Sequence, residues 1–204
     1  MRGLVAALLE LLAPTPCLGC DEPLRGHEAE LCPACAPGLI PWQGCSAAFE
    51  YGGPLSEAIH RYKYEDRSEL APRLGRLMLA ELASTGLPTV DVVLPVPLHW
   101  KRRRERGYDQ AALLAAELAR GLGLPFRARW LRRVRATASQ VGLSEIEREK
   151  NVSRAFYAAP APGPLRVLLV DDVRTTGATL RSAREALRTA GFASVRSFTL
   201  AARL

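Results

Sequence analysis

Four consecutive apolar residues, Val167-Leu168-Leu169-Val170, run straight into two adjacent acids, Asp171-Asp172, and then into Val173-Arg174-Thr175-Thr176-Gly177-Ala178-Thr179. A continuous run of valine and leucine reads as a strand buried on both faces, the pattern of parallel sheets. The helix-forming stretch Arg181-Ser182-Ala183-Arg184-Glu185-Ala186-Leu187 follows at once. A strand, a tight polar loop and a helix are therefore expected in that order. The loop leads into a helix N-terminus, where the first N–H groups lack intrahelical partners and the dipole favours an anion. Acids at the carboxyl end of such a strand stand where open α/β sheets bind ligands. They are placed to accept hydrogen bonds from sugar hydroxyls, or to hold Mg²⁺ through water. An ordinary βα unit with a polar loop is the competing interpretation, and it leaves the pairing of two acids with Thr-Thr-Gly-x-Thr unexplained.

This stretch resembles the signature of the type I phosphoribosyltransferases, which bind 5-phosphoribosyl-1-pyrophosphate (PRPP). The resemblance implies that Asp171 and Asp172 are the catalytic pair facing the ribose hydroxyls. It also implies that Thr175, Thr176, Gly177, Ala178 and Thr179 wrap the 5′-phosphate, and that Mg²⁺ accompanies PRPP. Arg174 stands where a small or apolar residue is expected. It either points to solvent or adds a cation near the phosphate.

Four of the five cysteines form two pairs, Cys17-x2-Cys20 and Cys32-x2-Cys35. Two such knuckles can place four thiolates around a tetrahedral Zn²⁺. Pro16, Gly19, Pro23, Gly26, Pro33 and Pro37 surround them and favour tight turns over regular elements. A segment so poor in large apolar side chains needs the metal to fold. A structural zinc is favoured over a redox pair, for which one CxxC suffices. His27 lies between the knuckles and is not needed as a ligand. For Cys45 a small buried core residue is favoured over a spare ligand or a free thiol.

Residues 1–45 are accordingly read as an N-terminal helix plus a zinc-ribbon-like module, and 46–204 as the α/β domain. Leu4 to Ala13 is apolar except for Glu10, which suits a short amphipathic helix better than a signal peptide. No stretch reaches the roughly 20 apolar residues of a membrane span, and a cytoplasmic protein is expected. In the larger domain, strands are expected at Ala47–Tyr51, Val90–Val96, Phe156–Ala158 and Val195–Ala201, with a weaker one at Arg127–Arg135. Helices are expected at Pro54–Tyr64, Ser68–Ala83 and Tyr108–Arg120. Pro72 should delay the regular part of the second helix. Strands alternating with helices predict an α/β fold whose parallel sheet is flanked by helices on both faces.

A basic turn, Lys101-Arg102-Arg103-Arg104-Glu105-Arg106, follows the expected Val90–Val96 strand. Lys101, Arg102, Arg103, Arg104 and Arg106 can neutralise a pyrophosphate, contact a nucleic-acid backbone, or simply form a solvated helix start. The chain carries +7 overall, and only Lys63, Lys101 and Lys150 of its cations are lysines. Arginine's planar fork suits phosphate, although a GC-rich genome or heat adaptation also produces such a composition.

The next residues, Arg106-Gly107-Tyr108-Asp109-Gln110, resemble the Arg-Gly-Phe/Tyr-Asn/Asp-Gln motif of the ComF family of competence proteins, also called ComFC or GntX-like. The four-cysteine module, a segment with Tyr51 and Lys63, and a later one with Thr137, Gln140, Leu143, Arg148, Asn151 and Phe156 stand in the same order. The resemblance covers nearly the whole chain. It implies a type I phosphoribosyltransferase-like sheet, a role in natural transformation handling single-stranded DNA, and competence-protein partners such as a ComFA-type helicase. Residues 137–151 are expected as a lid over the PRPP site, with Gln140 and Arg148 as its contacts, or else as a surface helix around Ser144-Glu145-Ile146-Glu147. Three readings stay open: a DNA-uptake accessory protein, with Trp42, Trp100, Trp130 and Tyr108 as stacking platforms or packing residues; a working phosphoribosyltransferase with an unnamed acceptor; and a zinc interaction module on a retired enzyme.

Overall fold

The computed structural model describes residues 14–25, 30–86, 89–134 and 155–203. The expected helix at Leu4–Ala13, His27, the surface helix expected around Ser144–Glu147 and the lid contacts Gln140 and Arg148 lie outside them.

Four parallel strands form the main sheet in the order β1-β6-β5-β2: β1 is Ala47–Glu50, β2 Val92–Pro95, β5 Arg166–Arg174 and β6 Ser194–Ala202. The run that opens the signature is thus a central strand. Its residues alternate between two cores, as the period of a strand requires. Leu168 and Val170 point to one side, where they meet α1 (Gly53–Tyr64), α2 (Ala71–Ser84) and α4 (Gln110–Leu122) through Ile59, Leu74, Met78, Leu114 and Leu118. Val167 and Leu169 point to the other, against Leu180, Ala183 and Leu187 of α5 (Ala178–Thr189). The expectation of a parallel sheet covered on both faces is borne out.

Local chemistry sets the element boundaries. Pro54 occupies the first turn of α1, where a missing N–H costs nothing. Ser68–Leu70 is a 3-10 turn and α2 begins only at Ala71, with Pro72 in its first turn, as Pro72 led one to expect. The weak Arg127–Arg135 pattern resolves into a 3-10 turn at Ala128–Trp130 and β3 (Leu131–Arg133), which pairs antiparallel with β4 (Phe156–Ala158) in a separate two-stranded sheet. That sheet lies over the second core through Leu131 and Phe156. Asp91 precedes β2 and clamps β5: it accepts from Arg166 N at 2.8 Å, Nε at 2.9 Å and Nη2 at 2.6 Å. Among the described residues, no helix is long and apolar enough to cross a membrane.

Candidate functional site

At the carboxyl ends of the strands, β5 outruns its neighbour. The β2 ladder ends with Pro95 opposite Val170, and Val96 N donates to Val170 O at 2.8 Å. Asp171 and Asp172 follow, held on the other edge by β6, with Asp171 opposite Thr199. Both acids line a cleft of about 490 Å³. A larger apolar concavity of about 620 Å³ lies between β4 and α5, with Glu185 the one charged residue among the described residues that line it.

The acids are already engaged. Asp172 N donates to Asp171 Oδ1 at 2.9 Å, and Lys63 Nζ, from the last turn of α1, stands 2.9 Å from Asp172 Oδ1. These two side chains are only 16% and 14% exposed. Burial and the charge of Asp172 push the Asp171 carboxyl up to about 8. Arg102, Arg106 and Arg133 line the same cleft, so among the described residues that line it cations outnumber acids. The Asp109 carboxyl, raised by burial, is spent on backbone.

Beyond Arg174 the chain turns through Thr175, Thr176 and Gly177 into α5. Gly177 is the N-cap at φ 74°, a conformation that favours glycine. Thr175 and Thr179 face the cleft. The Thr176 hydroxyl lies 3.5 Å from Ala178 N, and its carbonyl accepts from Arg181 Nη1 at 2.8 Å. The loop therefore brings two hydroxyls and a helix N-terminus to the acids, an arrangement suited to a phosphate on a polyol. Arg174 turns away and lies 4.9 Å over the Trp42 ring.

The basic run is a helix rather than a turn: α3 spans Trp100–Arg106. His99 caps it, accepting from Lys101 N at 3.3 Å through Nδ1. Helical phase divides the cations. Arg102 and Arg106, four positions apart, face the cleft, whereas Lys101, Arg103 and Arg104 are exposed outside it. Trp100 is 66% exposed beside them.

The Arg-Gly-Tyr-Asp-Gln motif is both lining and scaffold: Arg106, Asp109 and Gln110 border the cleft. Arg106 Nη1 donates to Gln110 Oε1 at 3.2 Å and its guanidinium lies 5.0 Å over Tyr64. Gly107 ends α3 at φ 76°. The Tyr108 hydroxyl donates to Tyr62 O. Asp109 accepts from Leu98 N and Ala112 N, both at 3.0 Å. An asparagine offers only one acceptor oxygen, so aspartate suits this double duty. Of the aromatic candidates for stacking, Trp130 packs against Phe192 and Trp42 lies under Arg174.

The second cluster is the cysteine module. The sulfurs of Cys17, Cys20, Cys32 and Cys35 all lie within 4.8 Å of one another, with Cys20 and Cys32 3.7 Å apart. Four thiolates about 2.3 Å from a tetrahedral Zn²⁺ stand about 3.8 Å from each other, so the set fits that ion. Burial raises the Cys17 thiol, but N–H groups of Cys32, Cys20 and Gly19 outweigh it and hold Cys17 at about 6. Burial and the neighbouring sulfurs push Cys35 up to about 12. A divalent cation displaces the remaining protons. Cys45 is exposed, contrary to expectation: it follows Gly44, at φ 125°, in the bend outside β1.

Sequence reasoning missed what holds the module on the sheet. Arg73 of α2, itself buried, donates to Glu30 Oε2 at 2.5 Å, Glu30 O at 3.0 Å and Pro16 O at 2.6 Å. Arg76 Nε adds a bond to Glu30 Oε1 at 2.8 Å. Leu18 lies in the main core. A Cβ on Gly19 would come 2.6 Å from Pro54 Cβ and 2.7 Å from Cys35 Sγ, so only glycine lets the knuckle approach α1. Lys63 carried a signal only as a mark of the ComF resemblance, with no role attached, and Arg133 carried none; the fold brings both to the cleft of Asp171 and Asp172.

Residues 109–204 match the family described as the phosphoribosyl transferase domain. The chain is similar to DNA utilization protein YhgH of Salmonella typhi, 38% identical over 188 residues, which cover 90% of this chain and 82% of that protein. It is similar also to Competence protein F of Haemophilus influenzae, 32% identical over 204 residues, covering 91% and 89%. Among solved structures, the glutamine PRPP amidotransferase of B. subtilis is 25% identical, with 69% of this chain and 30% of that one matched at a TM-score of 0.47. Identity above 30% along about nine-tenths of the chain, together with the domain match, makes this protein a member of the ComF family of competence proteins, built on a phosphoribosyl transferase domain.

Proposed function

We propose that the cleft binds PRPP with Mg²⁺ and that this site serves a protein of natural transformation that handles single-stranded DNA in the cytoplasm. The observation that carries the PRPP reading is the meeting of Asp171, Asp172, Thr175 and Thr179 with Lys63, Arg102 and Arg106 in one cleft. In this reading Asp171 and Asp172 accept hydrogen bonds from the ribose hydroxyls. The loop from Thr175 to Thr179 takes the 5′-phosphate on its hydroxyls and on the N–H groups of the α5 start. Arg102, Arg106 and Arg133 face the diphosphate, whose remaining charge Mg²⁺ offsets. The outward cations Lys101, Arg103 and Arg104, beside exposed Trp100, suit an oligonucleotide backbone and one stacked base. Other competence proteins, such as a ComFA-type helicase, are the expected partners.

Transfer of the phosphoribosyl group is the second reading, favoured by the presence of both acids. The nucleophile of an acceptor of unassigned identity would bond to the anomeric carbon as the bond to diphosphate breaks through an oxocarbenium-like state, with the acids positioning the ribose and the arginines receiving the leaving group. Titration of the zinc-loaded protein with PRPP–Mg²⁺ and with oligonucleotide, separately and together, tests the proposal. One PRPP site per chain and a PRPP-dependent shift in oligonucleotide affinity are expected. Absence of PRPP binding rejects both readings, and oligonucleotide affinity indifferent to PRPP rejects the link between them.

A further inference from the structure

Three consecutive residues in the last turn of α1 hold three separate parts of the molecule. Arg61 reaches the zinc knuckle: its Nη2 donates to Leu18 O and, at 3.2 Å, to Gly19 O. The Tyr62 hydroxyl donates to Gln110 O at 2.9 Å, at the end of the Arg-Gly-Tyr-Asp-Gln motif. Lys63 carries its ammonium to Asp172. Successive helical side chains point about 100° apart, so one turn can serve three directions. The other end of α1 is pinned to the knuckle as well. Pro54 lies within 2.6 Å of the Cβ position of Gly19 and within 2.7 Å of that of Gly38. Helix α1 therefore links the four cysteines to the acid pair through the side chains of its last turn.

Resting on the PRPP reading above, we infer that the metal state of the cysteine module and occupancy of the cleft are coupled through α1. The Leu18 and Gly19 carbonyls that receive Arg61 belong to the Cys17–Cys20 knuckle, so their positions depend on the sulfurs being gathered. Loss of the metal frees the knuckle, releases Arg61 and lets the end of α1 move. Lys63 then no longer stands beside Asp172, and the cleft loses a fixed cation. By linkage, a ligand that needs Lys63 in place must tighten the metal by the same factor. Arg61 itself does not line the cleft, so its contribution to ligand binding can only be indirect.

Zinc affinity of the full chain, measured by competition with a zinc-selective chelator, tests the coupling. Saturating PRPP–Mg²⁺ should tighten zinc by about tenfold, within the usual span of coupling energies. Ribose 5-phosphate, lacking the diphosphate, serves as the comparison ligand and should tighten it less. Arg61→Met should weaken PRPP binding by about the same tenfold, although it removes nothing from the cleft. Zinc affinity unchanged by PRPP, in protein that calorimetry shows to be saturated, overturns the coupling and leaves the PRPP reading standing. No PRPP binding by the zinc-loaded wild type removes both. Should Arg61→Met fail to fold, the wild-type competition alone decides.

Discussion

The two walls of the cleft are built on different physical principles. The acid wall is the end of β5, a central strand clamped by β6 and buried among Val167–Val170. The cationic wall is α3, seven residues with no buried side chain, held by His99 at one end and Gly107 at the other. A central strand places its side chains before any ligand arrives. A short exposed helix gives each cation a role only through its phase. The acids are thus fixed in place by the sheet, and the arginines are divided between the cleft and the outer surface.

The largest effect that bears on this contrast comes from removing the support behind the acid wall. Chelation, or Cys20→Ser with Cys32→Ser, should unfold the knuckles and release the Arg73 clamp. With several kcal/mol lost and about 2–4 °C per kcal/mol for a chain of this size, the melting temperature should drop by about 10 °C. Elemental analysis should find one zinc per chain in the wild type, and a value near zero discredits the site.

Next in size is the ammonium that faces the acid wall from α1. Lys63→Met leaves Asp172 without its ammonium and should weaken PRPP binding about tenfold, or about 1.4 kcal/mol. Calorimetry showing wild-type affinity would mean that Lys63 merely neutralises an empty site.

The two faces of α3 then separate by substitution. Arg102→Ala with Arg106→Ala should cost PRPP binding about tenfold or more. Arg103→Ala with Arg104→Ala should leave PRPP affinity alone and reduce the salt slope of oligonucleotide binding by about two. Equal effects of both pairs on PRPP would abolish the division of the helix.

The smallest effect is a proton. Below about 8 the ligand-free Asp171 carboxyl holds one, because burial and Asp172 oppose its charge. The carboxylate accepts ribose hydroxyls on both oxygens and more strongly than the protonated acid. PRPP binding at pH 7 should therefore release a proton, and affinity should rise with pH until about 8 and then level. Calorimetry in buffers of different ionisation enthalpy reads the proton directly, and identical heats in all buffers contradict it.

What was legible in the sequence follows the same contrast. Strand β5 could be read because its information is local: a two-sided apolar run, two acids and a glycine that turns into a helix. The delayed start of α2 was legible from Pro72, and the cysteine cluster from its spacing. The facing of Arg102 and Arg106 was not, since it depends on where α3 begins, and His99 sets that through its cap. Lys63 meeting Asp172, and Arg73 meeting Glu30 across 43 positions, come from tertiary packing: Lys63 was marked only by the family resemblance, which gave it no partner, and Arg73 by nothing. Cys45 was misjudged because small size favours burial only inside an element, and it lies in the bend before β1.

Calorimetric titration of the zinc-loaded wild type and of Asp171→Asn with Asp172→Asn by PRPP–Mg²⁺ tests the central claim most directly. The cleft described above predicts one site per chain that requires Mg²⁺ and loses at least about a hundredfold in affinity in the folded double variant. Wild-type affinity in that variant, or no binding by the wild type, would contradict it.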